Sequence, residues 1–160
     1  ELKAKPRELG PWIVYIAGFG EVLPNENNRV TLSQTQTDQW GIPVPHIDAE
    51  FGENEYKMID QIMEDGKAMV EAAGGIVVTQ NRTPGKFGLG IHEMGTARMG
   101  TDPKTAVLNK WNQAYDVPNL FITDGAAMAS SGCQNPSLTY MAFTARAANH
   151  AAQELKKGNI

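Results

Sequence analysis

The chain has 160 residues, 41% apolar and 20% charged, a balance that fits a folded globular protein and argues against disorder. Its net charge of −4 counts against nucleic acid as a partner, because phosphate binding needs a basic surface. Its single cysteine, Cys133, excludes an internal disulfide and a cysteine-built zinc site, and no apolar run approaches the roughly 20 residues of a membrane span.

The first residues, ELKAKPRELGPW, carry no initiator methionine and no apolar signal core, which reads as an excised start. WIVYIAGFGEVL, residues 12–23, is rich in aromatic and branched side chains and reads as a buried strand. LPNENN supplies turn residues, and RVTLS then alternates, with Val30 and Leu32 on one face and Thr31 and Ser33 on the other. The two runs are expected to pair antiparallel. TQTDQWGIPVPHID holds two prolines and reads as an extended connection or edge strand.

Residues 53–75 form the first clear helix. Tyr56, Ile59, Met63, Met69, Val70 and Ala73 recur at near-helical spacing, acidic residues crowd the first turn, and Gly74-Gly75 ends it. IVVT, residues 76–79, reads as a short strand, and 80–91 as a Gly/Pro loop. NLFIT, residues 119–123, reads as a buried strand with Asp124-Gly125 at its end. A long helix follows, with Asn135 expected at its N-cap and Pro136 at its first position. Leu138, Met141, Ala142, Ala145, Ala148, Ala152 and Leu155 form its expected buried stripe, and Gly158 its end.

Three places in the second half can carry chemistry. GIHEMGTARMG, residues 90–100, sets His92 in a glycine-rich loop; a strand ends at Asp124-Gly125; a helix begins at Asn135-Pro136. Ligands of α/β architectures collect at strand ends and helix starts. The free N–H groups of a helix start favour developing negative charge, such as that of a reduced flavin. A neutral histidine beside it can take a proton from an alcohol whose oxygen an asparagine amide holds. Plain readings stand beside these. Asn135 serves as a helix cap, Asp124-Gly125 as a turn and His92 as an ordinary loop residue. Arg98 serves as a structural or solvent-facing charge, Cys133 as a small apolar residue, and His150 as a dipole partner or solvent-facing group. His46, His92 and His150 lie far apart and form no local metal-ligand pattern.

Taken together, HEMGTARMG, VPNLFITDGAAM and NPSLTYMAFTARAANHA resemble the C-terminal region of the glucose–methanol–choline (GMC) family of FAD-dependent oxidoreductases. NRVTLSQTQTDQWGIPVPHID resembles a stretch that precedes that region, so the likeness covers roughly residues 20–157. The resemblance implies that His92 is the catalytic base or its close partner and that Asn135 is the second active-site residue. It places Asp124 and Gly125, followed by Ala126, on the ribityl–diphosphate part of FAD, and Asn135 and Pro136 against the isoalloxazine ring. It implies a mixed α+β fold. An antiparallel sheet with packed helices, to about residue 91, would build the substrate side, and a strand–loop–long helix segment, from about residue 92, would return to the flavin side.

Family members open with a GxGxxG loop that cradles the ADP part of FAD. Here GFGEVL and GLGIHE place Leu23 and Glu93 where the third glycine belongs. The chain is therefore expected to be the C-terminal part of a longer enzyme that oxidises a CH–OH group of an alcohol or sugar. Alone it is expected to bind FAD weakly or not at all, to turn over little, and to expose apolar surface where the N-terminal part packs. An electron-acceptor partner is implied as well. The closest likeness is to bacterial sugar-oxidising members. The alternative is a non-catalytic binding or assembly domain that retains the motif.

Overall fold

The computed structural model describes residues 10–160. In chain order it holds strands β1 (Arg29–Thr37) and β2 (Pro43–Asp48), helix α1 (Glu53–Ala72), a 3-10 turn (Gly125–Ala127) and helix α2 (Ser137–Lys157). This is the mixed α+β composition expected, with the order of pairing changed.

β1 pairs with β2, not with residues 12–23. Arg29 faces Asp48, Val30 faces Ile47 and Thr31 faces His46, and the register shifts between Leu32 and Thr37. The turn explains the choice. The Asp38 carboxylate accepts the N–H groups of Trp40 and Ile42, both at 2.9 Å, and Gly41 takes φ +81°. That compact turn folds the chain back at once, and β2 can hold Pro43 and Pro45 because among the described residues its other edge is unpaired. The alternation of Val30 and Leu32 is real, but both side chains are exposed.

Residues 12–23 form no strand ladder. Residues 16–23 run along α1, where a side chain at Gly18 would overlap Ile62 and one at Gly20 would overlap Met58. The two glycines are the condition for that close approach. Glu55, buried in the first turn of α1, locks the segment down: its carboxylate accepts the Leu23 N–H at 3.2 Å and the Gly52 N–H at 2.8 Å. The second bond is half of a capping box, since Gly52 has no side-chain oxygen to return. These backbone donors, Leu23 first, hold the Glu55 carboxyl below its ordinary value against the opposing effect of burial.

The end of α1 is a Schellman cap. Gly74, at φ +80°, donates to the Glu71 carbonyl and Gly75 to that of Val70. Ile59, Met63 and Val70 lie half-buried as expected, whereas Tyr56, Met69 and Ala73 are exposed; the inner face is Glu55, Met58, Ile59, Ile62 and Gly66. Residues 76–79 form no strand, and Ile76 and Val78 are exposed; among the described residues no strand lies beside them.

The tightest packing is in the second half. Ala97, Leu108, Ala114 and Ala127 form a buried cluster, flanked by Met99, Ile122 and Ala126. Its segments meet through single bridges: Met99 with Leu108, Leu108 with Ala114, and Gln113 with Phe121. NLFIT is thus reduced from a strand to one bridge.

α2 turns a different face inward from the one its alanines suggest. Tyr140, Phe143, Arg146, Ala147, His150, Ala151 and Glu154 are buried or half-buried. Leu138, Met141, Ala142, Ala145, Ala148, Ala152 and Leu155 are all exposed. His150 stacks on Trp111 with ring centroids 4.7 Å apart, so it is neither a free dipole partner nor a solvent group. Cys133 is exposed and does not pack as a small apolar residue. Gly158 ends α2 in the left-handed region, as expected. Among the described residues, no helix is long and apolar enough to cross a membrane.

Candidate active site

His92 sits in a loop whose backbone is drawn tight on both sides. Ile91, immediately before it, takes φ +59°, an uncommon conformation for a β-branched residue and a local reservoir of strain. The Gly90 N–H donates to the Glu93 carboxylate at 2.7 Å and closes the turn. Gly95, at φ +91°, then redirects the chain. The His92 side chain is half-buried.

From Gly95 onward the loop is stitched to the Asp124-Gly125 corner. The N–H groups of Gly95, Ala97 and Met99 donate to the carbonyls of Gly125, Ala126 and Ala127 at 3.2, 2.9 and 2.9 Å. The donors are alternate residues of an extended loop and the acceptors are the three consecutive carbonyls of the 3-10 turn, so the loop is laid along that turn. The corner is itself well determined. The Asp124 side chain accepts the Ala126 N–H at 2.9 Å and its carbonyl accepts the Ala127 N–H at 3.1 Å, which starts the 3-10 turn. Asp124 is therefore both a turn residue and an exposed carboxylate. Gly125 is buried. The Ala126 N–H and carbonyl are both engaged in these bonds, which leaves its methyl group for further contacts.

The first turn of α2 closes the triangle. The Tyr140 hydroxyl donates to Met94 Sδ at 3.5 Å and lies beside Gly125. A Cβ at Gly125 would stand 2.7 Å from the Glu93 carbonyl, 2.8 Å from the Tyr140 hydroxyl and 2.9 Å from Met94 Sδ. Only glycine fits there. Burial, and then the negative charges of Asp124 and Glu93, push the Tyr140 hydroxyl above its ordinary pKa. One turn on, the Thr144 and Thr123 hydroxyls hydrogen-bond at 2.9 Å.

The helix begins one residue later than expected. Pro136, buried, occupies the cap position and its carbonyl accepts the Tyr140 N–H at 3.1 Å. Asn135 precedes it, exposed, and no side chain caps the helix. Pro136, at φ −90° and ψ 6°, lies outside the helical values, so it takes the cap position itself and moves the boundary past Asn135. The asparagine amide is thereby not spent on capping, and the first helical N–H groups are not covered by a side-chain oxygen.

The structure thus brings together the His92 loop, the Asp124-Gly125-Ala126 corner and the Asn135-Pro136 helix start. The joints are Gly95, Ala97, Met99, Gly125 and Tyr140. Among the described residues, no hydrogen bond joins His92 to Asn135. Sequence reasoning missed Met94 and Tyr140, whereas the sharp turn at Gly95 was expected of the glycine-rich loop. Tyr140 had one available signal, since with Phe143, Ala147, Ala151 and Glu154 it forms a second stripe at helical spacing. Arg98 is an exposed charge whose guanidinium donates to the Thr105 carbonyl, a structural role as expected.

The residue types gathered here suit FAD. An exposed carboxylate, a buried glycine with no room for a side chain and an uncapped helix start adjoin one another, the surroundings that a dinucleotide and a reducible ring use. Among the described residues, no three His, Cys, Asp or Glu side chains form a group that could hold a metal ion.

Comparison with known proteins agrees with the resemblance. The family model described as GMC oxidoreductase matches residues 24–144. The chain belongs to the GMC oxidoreductase family. It is 37% identical over 139 residues to a 2-methyl-1,2-propanediol dehydrogenase of Mycolicibacterium austroafricanum, covering 84% of this chain and 24% of that protein. It is 39% identical over 144 residues to a fructose dehydrogenase large subunit of Gluconobacter japonicus, covering 86% and 25%. A pyranose 2-oxidase of Lyophyllum shimeji is 26% identical over 149 residues, covering 91% and 24%. The chain spans about a quarter of the length of these relatives. Members of the family are typically FAD-dependent.

Proposed function

We propose that this chain is the C-terminal part of a flavin-dependent oxidoreductase and supplies the proton-handling side of its active site. Residues up to about 91 serve the substrate side, and residues from about 92 the flavin side. The substrate is a small alcohol or a sugar, oxidised at a CH–OH group. FAD, when bound, supplies the hydride acceptor.

In this reading His92 Nδ1 or Nε2 takes the hydroxyl proton as the alcohol is oxidised. The Asn135 amide donates to the alcohol oxygen and fixes the carbon that loses hydride. Asp124, Gly125 and Ala126 line the ribityl–diphosphate part of the cofactor. The start of α2 at Pro136 directs its free N–H groups at the ring, where negative charge develops.

The observation that carries this reading is the three-point assembly. Backbone bonds from Gly95, Ala97 and Met99 to residues 125–127, with Tyr140 across Met94 and Gly125, support it by tying the loop after His92 to the Asp124-Gly125 corner and to the first turn of α2. The names of the relatives, a diol dehydrogenase, a fructose dehydrogenase subunit and a sugar oxidase, support the substrate class. The exposed stripe of α2 supports a packed N-terminal part. The test is a visible spectrum of the purified full-length protein and its bleaching by a panel of diols, alcohols and sugars. A flavin spectrum that bleaches with one class names the substrate. A colourless protein, or no bleaching across the panel, overturns the reading.

A further inference from the structure

Asn112 and Arg146 lie outside the site residues above, yet they join α2 to Met99 and to the segment that ends in Asp124. Asn112 is fully buried and takes φ +64°, a left-handed conformation uncommon for a non-glycine residue. A glycine would adopt it without cost. What glycine lacks is the amide. Asn112 Nδ2 donates to the Ile122 carbonyl at 2.9 Å, and the Ile122 N–H donates back to the Asn112 carbonyl at 3.0 Å. Asn112 Oδ1 accepts from Arg146 Nη2 at 2.9 Å.

Arg146 rises from the inner face of α2. The same Nη2 reaches Met99 Sδ at 3.5 Å, and the guanidinium lies 5.0 Å from the centre of the Phe143 ring. Its Nε is buried without a hydrogen-bond partner, and none of the ion pairs among the described residues includes it. Drawing a guanidinium inward without a carboxylate is unfavourable on its own account. The pair spans the gap between α2 and the segment that ends in Asp124, while Met99 is tied to Ala127 in the same corner.

We propose that Asn112 and Arg146 act as one positioning unit, setting the distance between the Asp124-Gly125 corner and α2, and through it between that corner and the Asn135-Pro136 helix start. The proposal rests on the reading of this corner as a flavin contact. It assigns neither residue a contact with cofactor or substrate.

The test is FAD titration into the deflavinated full-length protein, followed by fluorescence quenching, with circular dichroism establishing that each variant is folded. Asn112→Gly keeps the left-handed backbone and deletes the amide. Arg146→Met keeps most of the volume and deletes the guanidinium. Each is expected to weaken FAD binding roughly tenfold, as loss of a hydrogen bond to a charged group does. The double variant is expected to be no weaker than the worse single one, because one unit is broken either way. If Arg146→Met fails to fold, Asn112→Gly alone decides.

A residue that is merely structural lowers the unfolding midpoint and leaves the affinity of the folded protein unchanged. Unchanged affinity in both variants, beside a weakened Asp124→Ala control, would overturn the positioning role and leave the site reading standing. Additive losses in the double variant would also overturn it, since two independent roles behave that way. Unchanged affinity in Asp124→Ala itself would overturn the site reading, and the positioning proposal with it.

Discussion

Gly125 lies against Tyr140 so closely that a Cβ on the glycine would stand 2.8 Å from the tyrosine hydroxyl, with the Glu93 carbonyl 2.7 Å away on another side. The hydroxyl can swing aside, but the carbonyl is backbone and is held by the turn around His92. Gly125→Ala is therefore expected to destabilise the fold by about 1–3 kcal/mol, the usual cost of overpacking a tight site. Urea denaturation measures it. A variant as stable as the parent would mean that the loop gives way freely, and that the three-point assembly is loose.

Leu108 makes a second stability test. It is 0% exposed, at the centre of the cluster of Ala97, Ala114 and Ala127 that underlies the site. Leu108→Ala is expected to cost about 2–5 kcal/mol, because its alanine neighbours are too small to refill the space. The same substitution at Leu138, on the exposed stripe of α2, is expected to cost the isolated chain less than about 0.5 kcal/mol. Equal losses at the two positions would contradict the assignment of the inner face.

The attachment of residues 16–23 to α1 is expected to be acid-labile. The Glu55 carboxyl is held below its ordinary value, chiefly by the Leu23 N–H. Its contribution to stability is present above the unfolded carboxylate range and lost as pH falls through the lowered folded value. Amide exchange at Leu23, corrected for intrinsic rates, should lose protection across that acidic window. Glu55→Gln should abolish the pH dependence. Protection that persists in acid would show that the apolar contacts around Gly18 and Gly20 suffice without the carboxylate.

The parts legible in the sequence were those set by local chemistry. Gly74-Gly75 and the acidic first turn bounded α1, Gly158 ended α2, and Asp124-Gly125 marked a corner, because caps and turns depend on a few adjacent residues. Strand pairing was not legible in the same way. Val30 and Leu32 alternate whichever neighbour they have, and the Asp38–Gly41 turn, not the apolar run at 12–23, selected β2. The inner face of α2 was hidden because alanines occur all around that helix while its inward side carries Arg146, His150 and Glu154. Arg146 points inward for a partner, Asn112, that lies 34 residues away in the chain. Asn135 was read as a cap because Asn-Pro usually is one; the non-helical Pro136 backbone moved the cap to Pro136. The site residues themselves rested on motif resemblance, and physical spacing added their convergence only once the loop was seen bonded to the corner.

The proton-transfer role proposed for His92 is tested most directly by the rate of flavin reduction in a single turnover of the full-length protein. The parent, His92→Ala and Asn135→Ala would be compared at equal flavin content with the substrate that bleaches the parent. His92→Ala is expected to reduce its flavin about 10²–10⁴-fold more slowly, the usual contribution of a positioned base, and to recover rate as pH rises and the alcohol ionises without help. Asn135→Ala is expected to be slowed without that recovery. Reduction in His92→Ala at the parental rate, with flavin retained, would contradict the account.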